Sequence, residues 1–176
     1  MRTLIIGVGN PQRGDDGVGI CVVRRLAESH PRIATFSEAS GEGAALIDCW
    51  HGYDEVILID AVAPGELAGP PGHLHTLDVR RQALPSSFFH YSTHAFSVAE
   101  AVELARVLDL LPPLMTVYGI VGVSFGAGQP LSPPVARAAD LLTAELIRAF
   151  ATRAQYCPQP ARIYAPFRRC TRSSSC

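Results

Sequence analysis

Two nearly unbroken apolar runs limit the folds open to this chain: "TLIIGV" at residues 3–8, and "VILID" inside "DEVILIDAV" at residues 54–62. A strand with one face in water alternates apolar and polar residues. Neither run alternates. Both read as strands covered on two faces, the environment of a parallel sheet whose crossover helices pack on either side. The segments between and after them supply those helices. Residues 16–29 carry an apolar face at Val18, Cys21, Val22 and Leu26, with the stem of Arg25 beside it. A short helix is expected after the glycine-rich turn at Gly41. Another is expected over 95–108, with Val98, Val102, Ala105 and Leu108 on one face and Ser92 or Thr93 as N-cap. An amphipathic helix is expected over 134–152.

Further strands are expected at 33–37, at the edge-like "HLHTLDV" and at "LMTVYGIVGV" from Leu114. Strands alternating with helices predict a three-layer α/β/α sandwich around a mostly parallel central sheet of about five strands. One domain over residues 1–154 accommodates it. Residues 155–176 hold four arginines, three prolines and no acidic residue. With so little to bury, this tail is expected to be disordered.

Composition excludes several functions. A net charge of −1 gives no general attraction to nucleic acid or to an anionic membrane. No apolar run approaches the roughly 18 residues of a membrane span, and the start of the chain has no signal-peptide pattern. The protein is expected to be a cytoplasmic monomer that binds neither nucleic acid nor membrane. Five cysteines without CxxC spacing read as reduced thiols. All 15 basic residues are arginine, so P-loop NTPase, Schiff-base and Ser–Lys chemistry are ruled out for want of a lysine.

The first strand runs into "GVGNPQRGDDGVG", a glycine turn that at first suggests a phosphate site. Gln12 stands where G-x-G-x-x-G needs its third glycine, and Asp15 and Asp16 already occupy the place of an anion. In open α/β sheets ligands gather at the carboxyl ends of the strands. Asp16 after the first strand, Asp60 at the end of the central one and His94 before a helix all fall there. Two carboxylates and an imidazole suit a divalent transition metal, with nickel, zinc, copper or iron favoured over magnesium. Each residue alone has a plainer role, as a cap or turn residue; their convergence is the argument. Ending an apolar strand on the charge of Asp60 is costly unless something pairs it.

Other constellations are weaker. "GVSFG" at residues 122–126 fits G-x-S-x-G, but "AGQPLSPP" follows where a nucleophile elbow needs a helix, which argues against Ser124 as nucleophile. His73 and His75 share one face of a strand, a pattern more often of edge polarity than of metal binding. His90 lies four residues before His94, ahead of the expected helix start. Glu38 and Glu42 flank the second glycine turn near the same rim, as candidate general bases or solvated loop residues.

"GVGNPQRGDDGVG", "LIDAV", "STHAFSVAEAVELA" and "VYGIVG", in this order over residues 4 to 135, resemble the nickel–iron hydrogenase maturation proteases. The resemblance implies that Asp16, Asp60 and His94 are the metal ligands. It implies an endopeptidase that removes the C-terminal extension of a hydrogenase large-subunit precursor after nickel insertion. The nickel is expected to be the substrate's own, with zinc or cadmium able to substitute in vitro. Water polarised by that metal would attack the peptide carbonyl, with Glu38 or a freed Asp16 carboxylate as general base. Asp16 stands where several family members have glutamate, and "SGEG" with Glu42 replaces a G-G-T-x-G turn. Two alternatives are a peptidyl-tRNA hydrolase-like enzyme, for which the opening "GVGNP" speaks, and a nickel-binding assembly chaperone without peptidase activity. Against the first, the earliest histidine is His30.

Overall fold

The computed structural model describes residues 1–66, 68–85, 97–156 and 168–169. Five strands and four helices alternate almost as the sequence predicts: β1 (Thr3–Val8), α1 (Val18–Ser29), β2 (Thr35–Ala39), α2 (Gly43–Trp50), β3 (Glu55–Val62), β4 (Leu74–Asp78), α3 (Val98–Val107), β5 (Leu114–Val121) and α4 (Pro133–Tyr156). A sixth, two-residue strand, β6 (Arg168–Arg169), extends the sheet. The strand order is β4-β5-β3-β1-β2-β6, all pairs parallel except β4 with β5.

The reason for the two apolar runs is visible in the packing. Every residue of β1 and β3 is buried. On β1, Leu4, Ile6 and Val8 join the core under α2 and α3, while Ile5 joins the core under α1 and α4. On β3, Val56, Leu58 and Val62 face the first layer and Ile57, Ile59 and Ala61 the second. The period of two therefore persists, but with apolar residues at both phases. Trp50 and Leu46 of α2 and Val98, Ala101, Val102 and Ala105 of α3 fill one layer; Val22 and Leu26 of α1 and Ala139, Leu142 and Leu146 of α4 fill the other.

Several boundaries differ from expectation. The helix expected from residue 16 begins as a 3-10 turn over Gly14–Gly17 and becomes α-helical at Val18. The second strand lies at 35–39, two residues later than expected. Helix α3 starts at Val98, capped by Ser97, whose hydroxyl accepts from Glu100 N while the Glu100 carboxylate accepts from Ser97 N. That reciprocal box outcompetes a start farther upstream; Ser92 and Thr93, the expected caps, lie outside the described residues.

Two parts of the segment 155–176 are described. Helix α4 continues through Tyr156, because "ATRAQY" contains no helix breaker. Strand β6 pairs with β2 at Ser37↔Arg168 and Glu38↔Arg169, satisfying backbone groups on what is otherwise an open edge. The rest of 155–176 lies outside the described residues. Cys49 is disulfide-bonded, which corrects the expectation of a reduced thiol there, whereas Cys21 is free. Among the described residues no helix is long and apolar enough to cross a membrane.

Candidate active site

The site lies at the carboxyl ends of β1 and β3, where β1 turns into the segment that leads to α1. Two glycines let this segment close on the sheet. Gly9 has φ +122, and a Cβ there would fall 1.8 Å from the Asp16 carbonyl oxygen. A Cβ on Gly19 would fall 2.1 Å from the Ile59 carbonyl oxygen, so α1 rests directly against the end of β3. The glycines of "GVGNPQRGDDGVG" thus serve backbone contact, which brings Asp16 close to β3. Asp60, expected to end that strand, does not end it but lies two residues before its last residue, Val62.

Asp60 continues the phase of Leu58 and Val62 and is 7% exposed. Its Oδ1 accepts a hydrogen bond from Ala61 N at 2.8 Å, and no other hydrogen bond to this carboxylate forms among the described residues. Burial pushes its pKa up to about 7; the Ala61 N–H opposes that rise and the nearby Asp16 charge adds to it. Asp16 is half-buried, with Oδ2 accepting from Asn10 N at 3.0 Å. Burial raises its pKa as well, against the Asn10 N–H and the charge of Arg13. Neither carboxylate is in a salt bridge among the described residues. Two carboxyl groups desolvated side by side form an environment that disfavours their own charge and favours an added cation.

These two are the only members of the expected ligand set that the structure describes. His94, and with it His90, lies outside the described residues. Among the described residues no group of three His, Cys, Asp or Glu side chains is placed to hold a metal ion.

The other candidates occupy plainer positions. Glu38, on β2, has both carboxylate oxygens engaged by Arg24 of α1, at 2.7 and 2.9 Å, and its side chain is 10% exposed. Glu42 is the N-cap residue of α2. His73 and His75 stand edge to face with ring centroids 4.7 Å apart, and His75 Nε2 meets the Ala68 carbonyl at 2.7 Å. The Ser124 hydroxyl donates to the Gln129 side-chain oxygen rather than to a base. Val123 and Ser124 N–H groups both point at Asp15, and no helix follows directly, so the G-x-S-x-G match is not a nucleophile elbow. His30 is the C-cap of α1, at the far end of that helix from Asp16, and does not belong to the site.

Sequence reasoning missed Asp15. It is wholly buried and accepts four hydrogen bonds, from Val123 N, Ser124 N, Ser132 N and Ser132 Oγ. The adjacent pair "DD" thus divides its labour: Asp15 is turned inward and Asp16 toward the rim. Nothing in the sequence near Asp15 signals this, because its partners lie 108 to 117 residues away.

Known proteins share both the sequence pattern and the fold. Residues 20–149 match the family described as hydrogenase maturation protease. The chain is 28% identical over 152 residues to the hydrogenase expression/formation protein HupD of Rhodobacter capsulatus, covering 84% of this chain and 70% of the relative. It is 26% identical over 138 residues to the hydrogenase 2 maturation protease of Escherichia coli K12, covering 77% and 82%. The fold superposes on the Escherichia coli hydrogenase maturating endopeptidase HybD with a TM-score of 0.68 at 20% identity, covering 87% of this chain and 94% of that one. On the hydrogenase maturation protease HycI of Thermococcus kodakarensis the TM-score is 0.62 at 24% identity, covering 86% and 92%. With most of its length matched, the chain belongs to the hydrogenase maturation protease family.

Proposed function

We propose that this endopeptidase removes the C-terminal extension of a nickel–iron hydrogenase large-subunit precursor once nickel is in place, and that Asp16, Asp60 and His94 recognise the nickel carried by that substrate. The observation that supports this reading is the pair formed by Asp16 and Asp60. Two carboxylates with raised pKa values stand together at the ligand-binding end of the sheet, without an ion-pair partner among the described residues. A divalent cation offsets both the desolvation and the mutual repulsion.

An Asp60 carboxyl that titrates near neutrality gives up its proton readily when a cation arrives. Asp16, held by Asn10 N, is already oriented to meet the same ion. Two hard oxygen donors and one imidazole make a modest site on their own, which suits a protein that grips a metal already held by its client. Zinc or cadmium would substitute in vitro on the same donor set. Recognition through the client's metal would position the scissile peptide, and proximity would supply much of the rate. The reading includes a cytoplasmic monomer and no nucleic-acid or membrane partner.

The test is to incubate the protein with nickel-loaded and nickel-free precursor and to weigh the products by mass spectrometry. Cleavage of the nickel-loaded form alone, lost in Asp16→Ala and in His94→Ala with the fold intact, is the expected result. Equal cleavage of both precursors would show that nickel is not the trigger.

A further inference from the structure

We infer that Asp15 is a positioning residue for this protease: its buried carboxylate locks the segment carrying Asp16 onto the loop between β5 and α4, and so fixes where Asp16 meets the client's metal. This rests on the proposed role of Asp16.

The lock is extensive and joins parts of the chain that are distant in sequence. One carboxylate gathers three backbone N–H groups and one hydroxyl: Val123 N at 2.9 Å, Ser124 N at 2.9 Å, Ser132 N at 2.6 Å and Ser132 Oγ at 2.9 Å. Main-chain bonds run alongside, with Asp15 N donating to Ser124 O at 2.7 Å, Gly14 N to Gln129 O at 3.1 Å and Gly128 N to Gln12 O at 2.7 Å. The 3-10 turn Gly14–Gly17 is therefore bound on its loop side through residues 12, 14 and 15. Asp16 is the next residue, and among the described residues its own carboxylate receives one hydrogen bond, from Asn10 N.

The backbone that presents Asp16 is held by this set of bonds. Ser132 precedes the first residue of α4, so the same carboxylate also ties that helix to the rim of the site. Groups that orient a metal-binding side chain from behind usually matter nearly as much as the ligand.

Asp15→Asn has nearly the same shape but turns an NH2 group toward donors that need an acceptor. Arg153→Ala serves as the control: it breaks an ion pair with Glu55, at the amino end of β3 and so at the opposite end of the sheet from the site. The full chain would be assayed for binding of cadmium alone and for cleavage of nickel-loaded precursor, with melting temperatures measured in parallel. The expected result for Asp15→Asn is a loss of about tenfold or more in both cadmium affinity and cleavage rate, although Asp16 is intact. Arg153→Ala, also destabilised, should stay within about twofold of wild type in both.

Wild-type values for Asp15→Asn would overturn the assignment, and so would an equal loss in Arg153→Ala, since activity would then follow stability. If Asp15→Asn fails to fold, Ser132→Ala takes its place. It should lower both readouts severalfold, and Ser132→Thr, which keeps the hydroxyl, should restore them; full activity in Ser132→Ala overturns the assignment. Asp16→Asn separates this inference from the reading beneath it. Full cadmium binding and cleavage in Asp16→Asn mean that the role given to Asp16 is wrong. Loss in Asp16→Asn with none in Asp15→Asn means that only the positioning role is wrong.

Discussion

The charge of Asp16 helps to keep Asp60 protonated. Burial is the larger cause, and together they carry the Asp60 carboxyl from an ordinary 3.8 to about 7. At neutral pH the Asp60 carboxyl is therefore about half protonated. The folded protein gives this residue an environment that the unfolded chain does not, so the pair also leaves a mark on stability.

Between the two pKa values the folded state keeps a proton that the unfolded chain has lost. The stability gained by keeping Asp60 neutral is present in full below about pH 4 and is lost as pH rises through 7. A carboxyl raised this far corresponds to a loss on the order of 4 kcal/mol by pH 8. Asp60→Asn removes this dependence. Its melting temperature should match wild type near pH 4 and exceed it by roughly 10 °C at pH 8, while divalent-metal binding is lost. Thermal unfolding of both proteins across this range is the measurement. Curves that stay parallel would mean that Asp60 is not desolvated as described.

Glu38 makes a strong ion pair, and that is the argument against its acting as general base. Arg24 holds both carboxylate oxygens, so proton transfer would require breaking one or both of those bonds. We expect Glu38→Gln to retain cleavage within a few-fold and to lose about 1 kcal/mol of stability, since Arg24 is substantially exposed and water can replace its partner. A loss of turnover of about a hundredfold or more, with the protein still folded, would restore Glu38 to the catalytic step.

Ser124 presents a second clear test. Its hydroxyl is bonded to Gln129, and its N–H and that of Val123 are committed to Asp15, so neither a base nor those two oxyanion donors are available to it. Ser124→Ala should cleave nickel-loaded precursor at the wild-type rate, and serine-directed inhibitors should have no effect. Stoichiometric labelling of Ser124 with loss of activity would place the chemistry there.

What the sequence disclosed and what it hid follow from the range of the interactions involved. The runs 3–8 and 54–62 are legible because burial on both faces leaves a local mark, an apolar residue at nearly every position. Asp60 is legible for the complementary reason: a charge that ends such a run stands out. The N-cap of α3 could have been read from "SVAE" at 97–100, a capping box that the apolar spacing drew attention away from. Asp15 could not. Its four donors come from beyond residue 122, and no local pattern distinguishes it from Asp16. The antiparallel placement of β4 against β5 and the addition of β6 to β2 are also pairings at a distance, made at the two edges of the parallel set β5-β3-β1-β2.

The opposite end of the sheet offers a test of stability without function. Glu55, at the start of β3, is 6% exposed and would be a costly buried charge if left alone. Arg153 reaches it from the last turns of α4 with Nη1 at 2.6 and 2.8 Å from the two oxygens, and Thr3 Oγ1 donates to Oε2 at 2.8 Å. The guanidinium also lies 5.4 Å from the Phe150 ring centroid, so it packs as well as pairs. Because half of the Arg153 side chain is in water, its loss should cost less than that of a fully buried partner. Arg153→Ala is expected to lower stability by about 2 kcal/mol, chiefly by leaving the Glu55 charge with Thr3 alone. Adding Glu55→Gln should recover part of that loss, since a neutral amide needs no counter-charge. Cleavage of precursor should be unchanged in both variants, because Glu55 lies at the amino end of β3, five residues along the strand from Asp60. Chemical denaturation of the two variants checks the energies. If Arg153→Ala unfolds at the wild-type midpoint, the pair is a solvated surface contact and α4 is held by its apolar face alone.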